Sequence, residues 1–170
     1  MRQSDKALVR RACLGDTGAF GELYSIYAPE LFKYACCVTG SQQLAQDAVQ
    51  EAVMCAFAEI SDLRNEDAFK GWLFKILSNV CKKQLSRKIE LYAVGDAGDM
   101  PDEGTDDFEL SAQLRIALEG LDAEERMVLL LSSVNGYKSR EIALMLNCSA
   151  STVRSKLART LKKLRLELED

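Results

Sequence analysis

The sequence predicts an all-α chain of two helical domains joined by a flexible acidic linker, on three observations. Apolar side chains recur at intervals of three and four through most of its length, the spacing of one helix face. The two prolines, Pro29 and Pro101, leave long stretches without the residue that most strongly breaks helices. No segment sustains the period-two alternation of a half-buried strand. Between residues 90 and 110 the periodicity stops. That stretch holds three glycines, Pro101 and eight acidic side chains with no basic one, the composition of a solvated linker. The domains are therefore residues 1–89 and 111–170, with 90–110 between them.

Ser4 is placed to cap a short helix running through Cys13. Asp16 precedes a long helix whose apolar positions are Phe20, Leu23, Tyr24, Tyr27, Leu31, Phe32 and Tyr34. Gly40-Ser41 ends it. The following helix sets Leu44, Ala48, Ala52, Val53, Ala56, Phe57 and Ile60 on one face and Asp47, Gln50, Glu51 and Met54 on the other. After the polar turn SDLRNED, Phe69, Trp72, Leu73, Ile76, Leu77 and Val80 mark a fourth helix, with Lys75, Lys82 and Lys83 on or near its outer side.

In the second domain, Ser111 to Leu121 reads as a helix, and Asp122 with Glu125 forms a capping box for the next. Ser139 is placed to cap a helix ending at Leu146. Ser149 is placed to cap the last one, with Val153, Leu157, Leu161 and Leu164 as its inward stripe.

The composition excludes several classes of function. Histidine is absent and the six cysteines (Cys13, Cys36, Cys37, Cys55, Cys81, Cys148) form no CxxC pair, so neither a metal site nor a cofactor is expected. The cysteines read as small buried hydrophobes. Lacking the commonest general base, the chain is not expected to be an enzyme. No apolar run is long enough to span a membrane and the N-terminus lacks a signal-peptide core, which points to the cytoplasm. The net charge of -4 is segregated. Residues 1–89 carry 12 basic and 10 acidic side chains, and residues 111–170 carry 10 and 8. Each helical block is thus mildly basic, which keeps nucleic acid open as a partner.

Three constellations bear on function. NGYKSREIALMLNCSASTVRSKLARTLKKLR has the form of a helix-turn-helix, whose second helix enters the major groove of DNA. From Ala150 to Arg165 that helix carries Arg154, Lys156, Arg159, Lys162, Lys163 and Arg165 and no acid. Arginine reads guanine bidentately, Ser and Thr reach bases or phosphates, and lysine neutralises backbone charge. The face of Asp47, Gln50 and Glu51 reads, on chemistry alone, as the wet side of a helix. The loop from Leu63 to Gly71, with Asn79 and the nearby lysines, could hold an unpaired base, while Trp72 shares a face with Phe69 and Ile76 and reads as core.

Taken in order and spacing, GDTGAFGELYSIYAPELFKYA, QDAVQEAVMCAFAEI, DAFKGWLFKILSNVCKK and the helix-turn-helix resemble an extracytoplasmic-function (ECF) sigma factor of the sigma-70 family. The resemblance covers nearly the whole chain. It implies a region-two-like bundle over 1–89, a region-four-like helix-turn-helix over 111–170, and a protein that directs core RNA polymerase to promoters in response to an environmental or envelope signal. It further implies that Asp47, Gln50, Glu51 and Met54 dock on the clamp of the largest polymerase subunit, with the flap of the second largest as another contact. Leu63, Arg64, Asn65, Phe69, Lys70, Asn79, Lys82 and Lys83 would serve the minus-ten element, where holding a flipped base costs unstacking energy. Lys138, Ser151, Thr152, Arg154, Ser155, Lys156 and Arg159 would face the minus-thirty-five element. The linker would thread the RNA channel, and an anti-sigma factor is the implied regulator.

Some positions depart from the family pattern. Asn147 stands where Gly is frequent, and Asn tolerates the left-handed conformation. Ala158 stands where some members carry a larger base-contacting residue. The segment after Asn79 lacks the Asp and paired arginines many members have. Two rival readings are a stand-alone helix-turn-helix regulator and a purely protein-binding adaptor. The first lacks a receiver or ligand-pocket pattern in residues 1–89, and the basic last helix disfavours the second.

Overall fold

A computed structural model of the protein describes residues 3–93, 116–118 and 120–169, and contains no β-strand among them. Among the described residues the longer elements are seven helices: α1 (Gln3–Cys13), α2 (Thr17–Thr39), α3 (Gln42–Glu59), α4 (Phe69–Ala93), α5 (Ala123–Ser133), α6 (Ser139–Met145) and α7 (Ala150–Glu169). Two 3₁₀ turns, Ile60–Asp62 and Glu66–Ala68, lie between α3 and α4. The helix expected from Ser111 to Leu121 lies largely outside the described residues, although Ile116, Ala117 and Leu118 are helical. Most of the linker, 94–110, also lies outside them, and α4 runs on through Ala93.

Local chemistry sets most boundaries. The Asp16 carboxylate accepts from the Ala19 amide at 3.0 Å and caps α2, while Arg11 holds its other oxygen at 2.9 Å. Gly40, left-handed at φ 68°, ends α2 with its N–H on the Cys36 carbonyl. Ser41 caps α3. Asp122 and Glu125 form the reciprocal capping box, at 2.7 and 3.0 Å. Two expected caps are corrected. Ser4 lies inside α1 and its hydroxyl donates to Asp5 at 3.1 Å. Ser139 is the first residue of α6, and that helix start is closed by the Glu141 carboxylate accepting from the Lys138 amide at 2.7 Å.

Helices α1 to α4 form one bundle and α5 to α7 pack around a second centre. Leu23, Leu31, Phe69, Phe74 and Leu77 fill the first; Met127, Leu131, Ile142 and Val153 fill the second. Tyr34 meets Phe74 edge-on at 5.3 Å, and its hydroxyl shares a 2.7 Å hydrogen bond with Ser78 in the interior. Burial pushes the Tyr34 hydroxyl well above the ordinary tyrosine range, so it stays neutral. Trp72 is half-buried with its ring 6.0 Å from Phe69, packed against the core.

Three other expectations are revised. Leu161 is 48% exposed and fully buried Thr160 takes its place, with the hydroxyl bonded to the Lys156 carbonyl at 2.9 Å. Seven residues on from Val153 return nearly to the same face, whereas eight overshoot by about 80°. Phe57, expected to point inward, is half exposed and packs edge-on against Phe20 at 5.1 Å. Cys36, Cys37 and Cys81 are buried and burial raises their thiols, Cys81 to about 12, but Cys148 is exposed.

The two centres are not separate. Helix α2 touches α5, and α4 touches α6. Phe74, fully buried between Tyr34 and Tyr137, serves both. Phe74→Ala is expected to cost about 3–5 kcal/mol of stability, read as a lowered urea midpoint of the purified chain. A loss under about 1 kcal/mol would mean that this junction does not bear on the fold.

Candidate nucleic-acid and polymerase interfaces

The C-terminal face is built by a tight turn. Asn147 adopts φ 52°, and the Cys148 amide donates back to the Ala143 carbonyl at 3.0 Å, the long hydrogen bond of a Schellman ending. Asn pays less for this conformation than most residues, because a short polar side chain can hydrogen-bond to the local backbone. Asn147→Gly is expected to leave the thermal midpoint nearly unchanged. Asn147→Val is expected to cost about 1–2 kcal/mol, and an unchanged midpoint in the valine variant would contradict the role given to the turn. The Ser149 hydroxyl then accepts from the Thr152 amide at 3.0 Å and clusters with the hydroxyls of Ser151 and Thr152 at 2.7 and 2.8 Å.

With Val153 and Thr160 buried, α7 turns Ser151, Thr152, Arg154, Ser155 and Arg159 outward. Arg159 donates to the Ser155 carbonyl one turn back at 3.3 Å, and Arg154 forms no ion pair among the described residues. Lys138, just before α6, is exposed as well. Lys156 is not displayed with them. It turns back, mostly buried, onto the Glu124 carboxylate of α5. Lys163 likewise holds Glu125, at 2.6 Å.

A second polar surface runs along the loop before α4 and down that helix. The Asn65 side chain accepts from the Asp67 amide at 3.0 Å, and α1 braces the loop through Lys6 to Asp67 at 2.6 Å and Arg10 to Glu66 at 3.3 Å. Arg64 and Asn65 are exposed and Leu63 half-buried. Phe69 is corrected: at 1% exposure and with its ring 5.7 Å from Tyr27, it has no face left for a base and instead anchors the loop to the core. Asn79 is exposed. The lysines here are engaged, Lys70 with Glu30 at 2.6 Å, Lys82 with Glu124 at 3.0 Å and Lys83 with Glu51 at 3.0 Å.

On α3, Asp47, Gln50 and Met54 are exposed and Glu51 half-buried. The bond from Lys83 holds the Glu51 carboxyl below the usual glutamate range, so it is an anion at neutral pH. Met54, 66% exposed, and Phe57, 49% exposed, add apolar surface beside these acids. Acidic, amide and apolar groups together suit a protein partner better than DNA, which repels carboxylates.

Sequence reasoning missed Glu30, Glu124, Asn135 and Tyr137, which hold the two halves together. Glu124 bonds Lys82 and Lys156, 42 and 32 residues away in the chain, so no local spacing signals it. Lys156 first and Lys82 second depress its carboxyl to about 2. A carboxyl lowered in this way keeps its ionic contacts above the ordinary glutamate range and loses them only as pH falls through about 2. Glu30 bonds both Lys70 and the Asn135 side chain, and the Tyr137 ring stands 6.3 Å from Phe74.

Comparison with known proteins places the chain in a family. Residues 23–89 match the model of sigma-70 region 2, and residues 111–164 match that of sigma-70 region 4. The RNA polymerase sigma factor NccH of Alcaligenes xylosoxydans xylosoxydans is 33% identical over 94% of this chain and 92% of its own. The ECF RNA polymerase sigma factor SigM of Mycobacterium tuberculosis is 27% identical over 92% of this chain and 81% of its own. Among solved structures, the sigma factor RpoE in complex with the anti-sigma factor NepR from Bartonella quintana superposes with a TM-score of 0.73. It is 24% identical, covering 88% of this chain and 96% of RpoE. CnrH in complex with the cytosolic domain of CnrY gives 0.71 at 24% identity, covering 98% of both chains. The fold is the same. Among the described residues, no helix is long and apolar enough to cross a membrane.

Proposed function

The chain belongs to the sigma-70 family as an RNA polymerase sigma factor of the ECF type, and from that premise we propose how its surfaces divide the work of promoter recognition. As a sigma factor it directs RNA polymerase to promoters. Residues 111–170 read the minus-thirty-five element through Lys138, Ser151, Thr152, Arg154, Ser155 and Arg159, with Lys156 joining them once released from Glu124. Residues 1–89 serve the minus-ten element through Leu63, Arg64, Asn65, Lys70, Asn79, Lys82 and Lys83. The α3 face of Asp47, Gln50, Glu51 and Met54 docks on the clamp of the largest polymerase subunit, and Phe57 extends that contact.

The observation that carries this reading is the display on α7. Arg154 and Arg159 share an outward face with three hydroxyl side chains, on the second helix of a helix-turn-helix. Groups of these types make direct base and phosphate contacts in the major groove. A small monomeric module of this kind binds weakly, and linkage to a second reading domain and to polymerase supplies the rest of the specificity.

The acidic stretch 90–110 passes through the polymerase's RNA channel, its carboxylates standing where RNA phosphates run. The protein acts in the cytoplasm, without catalysis of its own and without a cofactor, on an environmental or envelope signal. An anti-sigma factor restrains it, a reading supported by the solved relatives, one held by NepR and the other by the cytosolic domain of CnrY. Footprinting of the reconstituted holoenzyme tests the division of labour. Alanine at Ser155 and Arg159 is expected to erase protection of the upstream element first, and alanine at Arg64 and Asn79 that of the downstream element. Loss of both footprints together from either pair would refute it.

A further inference from the structure

The loop that presents Arg64 and Asn65 is held from outside. Lys6, Arg10 and Cys13 follow one another on α1 at steps of four and three residues, which sets them along one face of that helix. All three reach the segment between α3 and α4. Lys6 meets Asp67 at 2.6 Å and Arg10 meets Glu66 at 3.3 Å. The Cys13 thiol donates to the Ile60 carbonyl at 3.2 Å, with the Leu63 carbonyl at 3.8 Å. Burial first and the Glu66 charge second push that thiol up, so it stays protonated and a donor. Val9 and Ala12, buried in the core, seat α1 on the bundle and make the stripe a fixed support. The fixed points thus fall at residues 60, 63, 66 and 67 and at buried Phe69, and Arg64 and Asn65 stand exposed between them.

We propose that Lys6 and Arg10 are positioning residues for base reading at the minus-ten element, fixing the loop so that Arg64 and Asn65 meet an unstacked base already in place. The inference rests on the reading of that loop as the minus-ten contact. Lys6 acts on Asn65 through one intermediate. It fixes Asp67, whose backbone amide donates to the Asn65 side-chain oxygen at 3.0 Å, and the Asn65 amide nitrogen is left to donate to a base. A loop held in its bound form avoids the ordering cost that a floppy one meets on binding. The same pairs settle a conflict of charge. From Glu59 to Asp67 the chain carries four carboxylates and a single base, Arg64, a balance that DNA would repel. The two α1 cations neutralise the two carboxylates that follow Asn65 directly. Both pairs are partly solvated, so each is modest alone and their effect is felt through the geometry they share.

The probe is a promoter whose transcript the reconstituted holoenzyme yields from the source genome, with 2-aminopurine placed in turn along the minus-ten element to find the base that brightens on unstacking. Holoenzyme affinity is then measured for that promoter and for one with the unstacked base replaced. The ratio of the two reads base recognition apart from general weakening. Lys6→Glu combined with Arg10→Glu is expected to lower this ratio about three- to tenfold, with affinity for core polymerase unchanged and faster hydrogen exchange across residues 63–68 of the free chain. Exchanging the charges of one pair, Lys6→Glu with Asp67→Lys, keeps the backbone bond to Asn65 and is expected to restore most of the ratio lost in Lys6→Glu alone. Ala7→Glu, an acid at an exposed position of the same helix, is expected to match the wild type. An unchanged ratio in the α1 variants, while alanine at Arg64 and Asn65 abolishes it, overturns the positioning role and leaves the loop as the reader. An unchanged ratio in both sets overturns the loop reading itself and the positioning role with it. A ratio that falls in the α1 variants and is not recovered by the exchanged pair overturns the ion pairs as its cause.

Discussion

Arg154→Ala lowers promoter-specific initiation roughly 5- to 150-fold, the equivalent of one bidentate base contact worth about 1–3 kcal/mol, and leaves affinity for core polymerase unchanged. Arg154 is the residue for this test because it is exposed on α7 and forms no ion pair among the described residues, so its removal breaks nothing inside the fold. Its helix is fixed independently by buried Val153 and Thr160 and by the Ser149 cap. A loss confined to initiation at the cognate promoter, with the same retention on core, assigns the residue to base reading. A fall of the same size on a promoter with the upstream element scrambled would make Arg154 a backbone contact instead. Lys156→Ala offers a contrast. It removes the partner of Glu124 within the same half as well as a DNA cation, so it perturbs the packing of α7 on α5 together with DNA binding.

Asp47→Lys has the opposite signature. It weakens binding to core polymerase by about 2–4 kcal/mol, roughly 30- to 1,000-fold in Kd, since a like charge brought to a complementary patch is repelled at close range. Asp47 is exposed near the middle of α3 and carries no ion pair among the described residues, so reversal leaves the bundle itself intact. Glu51→Lys is the less clean change because Lys83 already sits on that carboxylate at 3.0 Å and would be driven off. Co-sedimentation with core polymerase reads the effect directly. If Asp47→Lys and Arg154→Ala weaken core binding to the same extent, the assignment of separate faces fails.

What the sequence disclosed here follows from the range of the forces involved. The Asp16 cap, the Asp122–Glu125 box and the left-handed Asn147 depend on residues within four positions, and all were readable. Ser4 and Ser139 misled because a serine near a helix start resembles a cap whether or not its hydroxyl is the group used. At α6 the reaching side chain is Glu141 from within the helix. Leu161 misled because counting in fours along a helix of 3.6 residues per turn drifts off the face, and Thr160 is the residue that returns to it.

The exposed positions of Asp47, Gln50 and Met54 were legible from periodicity, but their use was not, for a wet helix face looks alike whether it meets water or a protein. For Phe69 the helical spacing points to the core and the family resemblance to the nucleic-acid set, and packing against Tyr27 decides for the core. Least legible was the junction. Glu30, Glu124, Asn135 and Tyr137 meet partners from elements distant in the chain, and such contacts leave no period in a sequence.

The central claim is that this chain confers promoter choice on polymerase. Run-off transcription with purified core polymerase, with and without the protein, tests it most directly on a template pool drawn from the source genome. The protein is expected to co-elute with core, and defined transcripts are expected only when both are present. Failure to co-elute, together with binding to an operator as a free dimer and no transcript dependent on the protein, would contradict it.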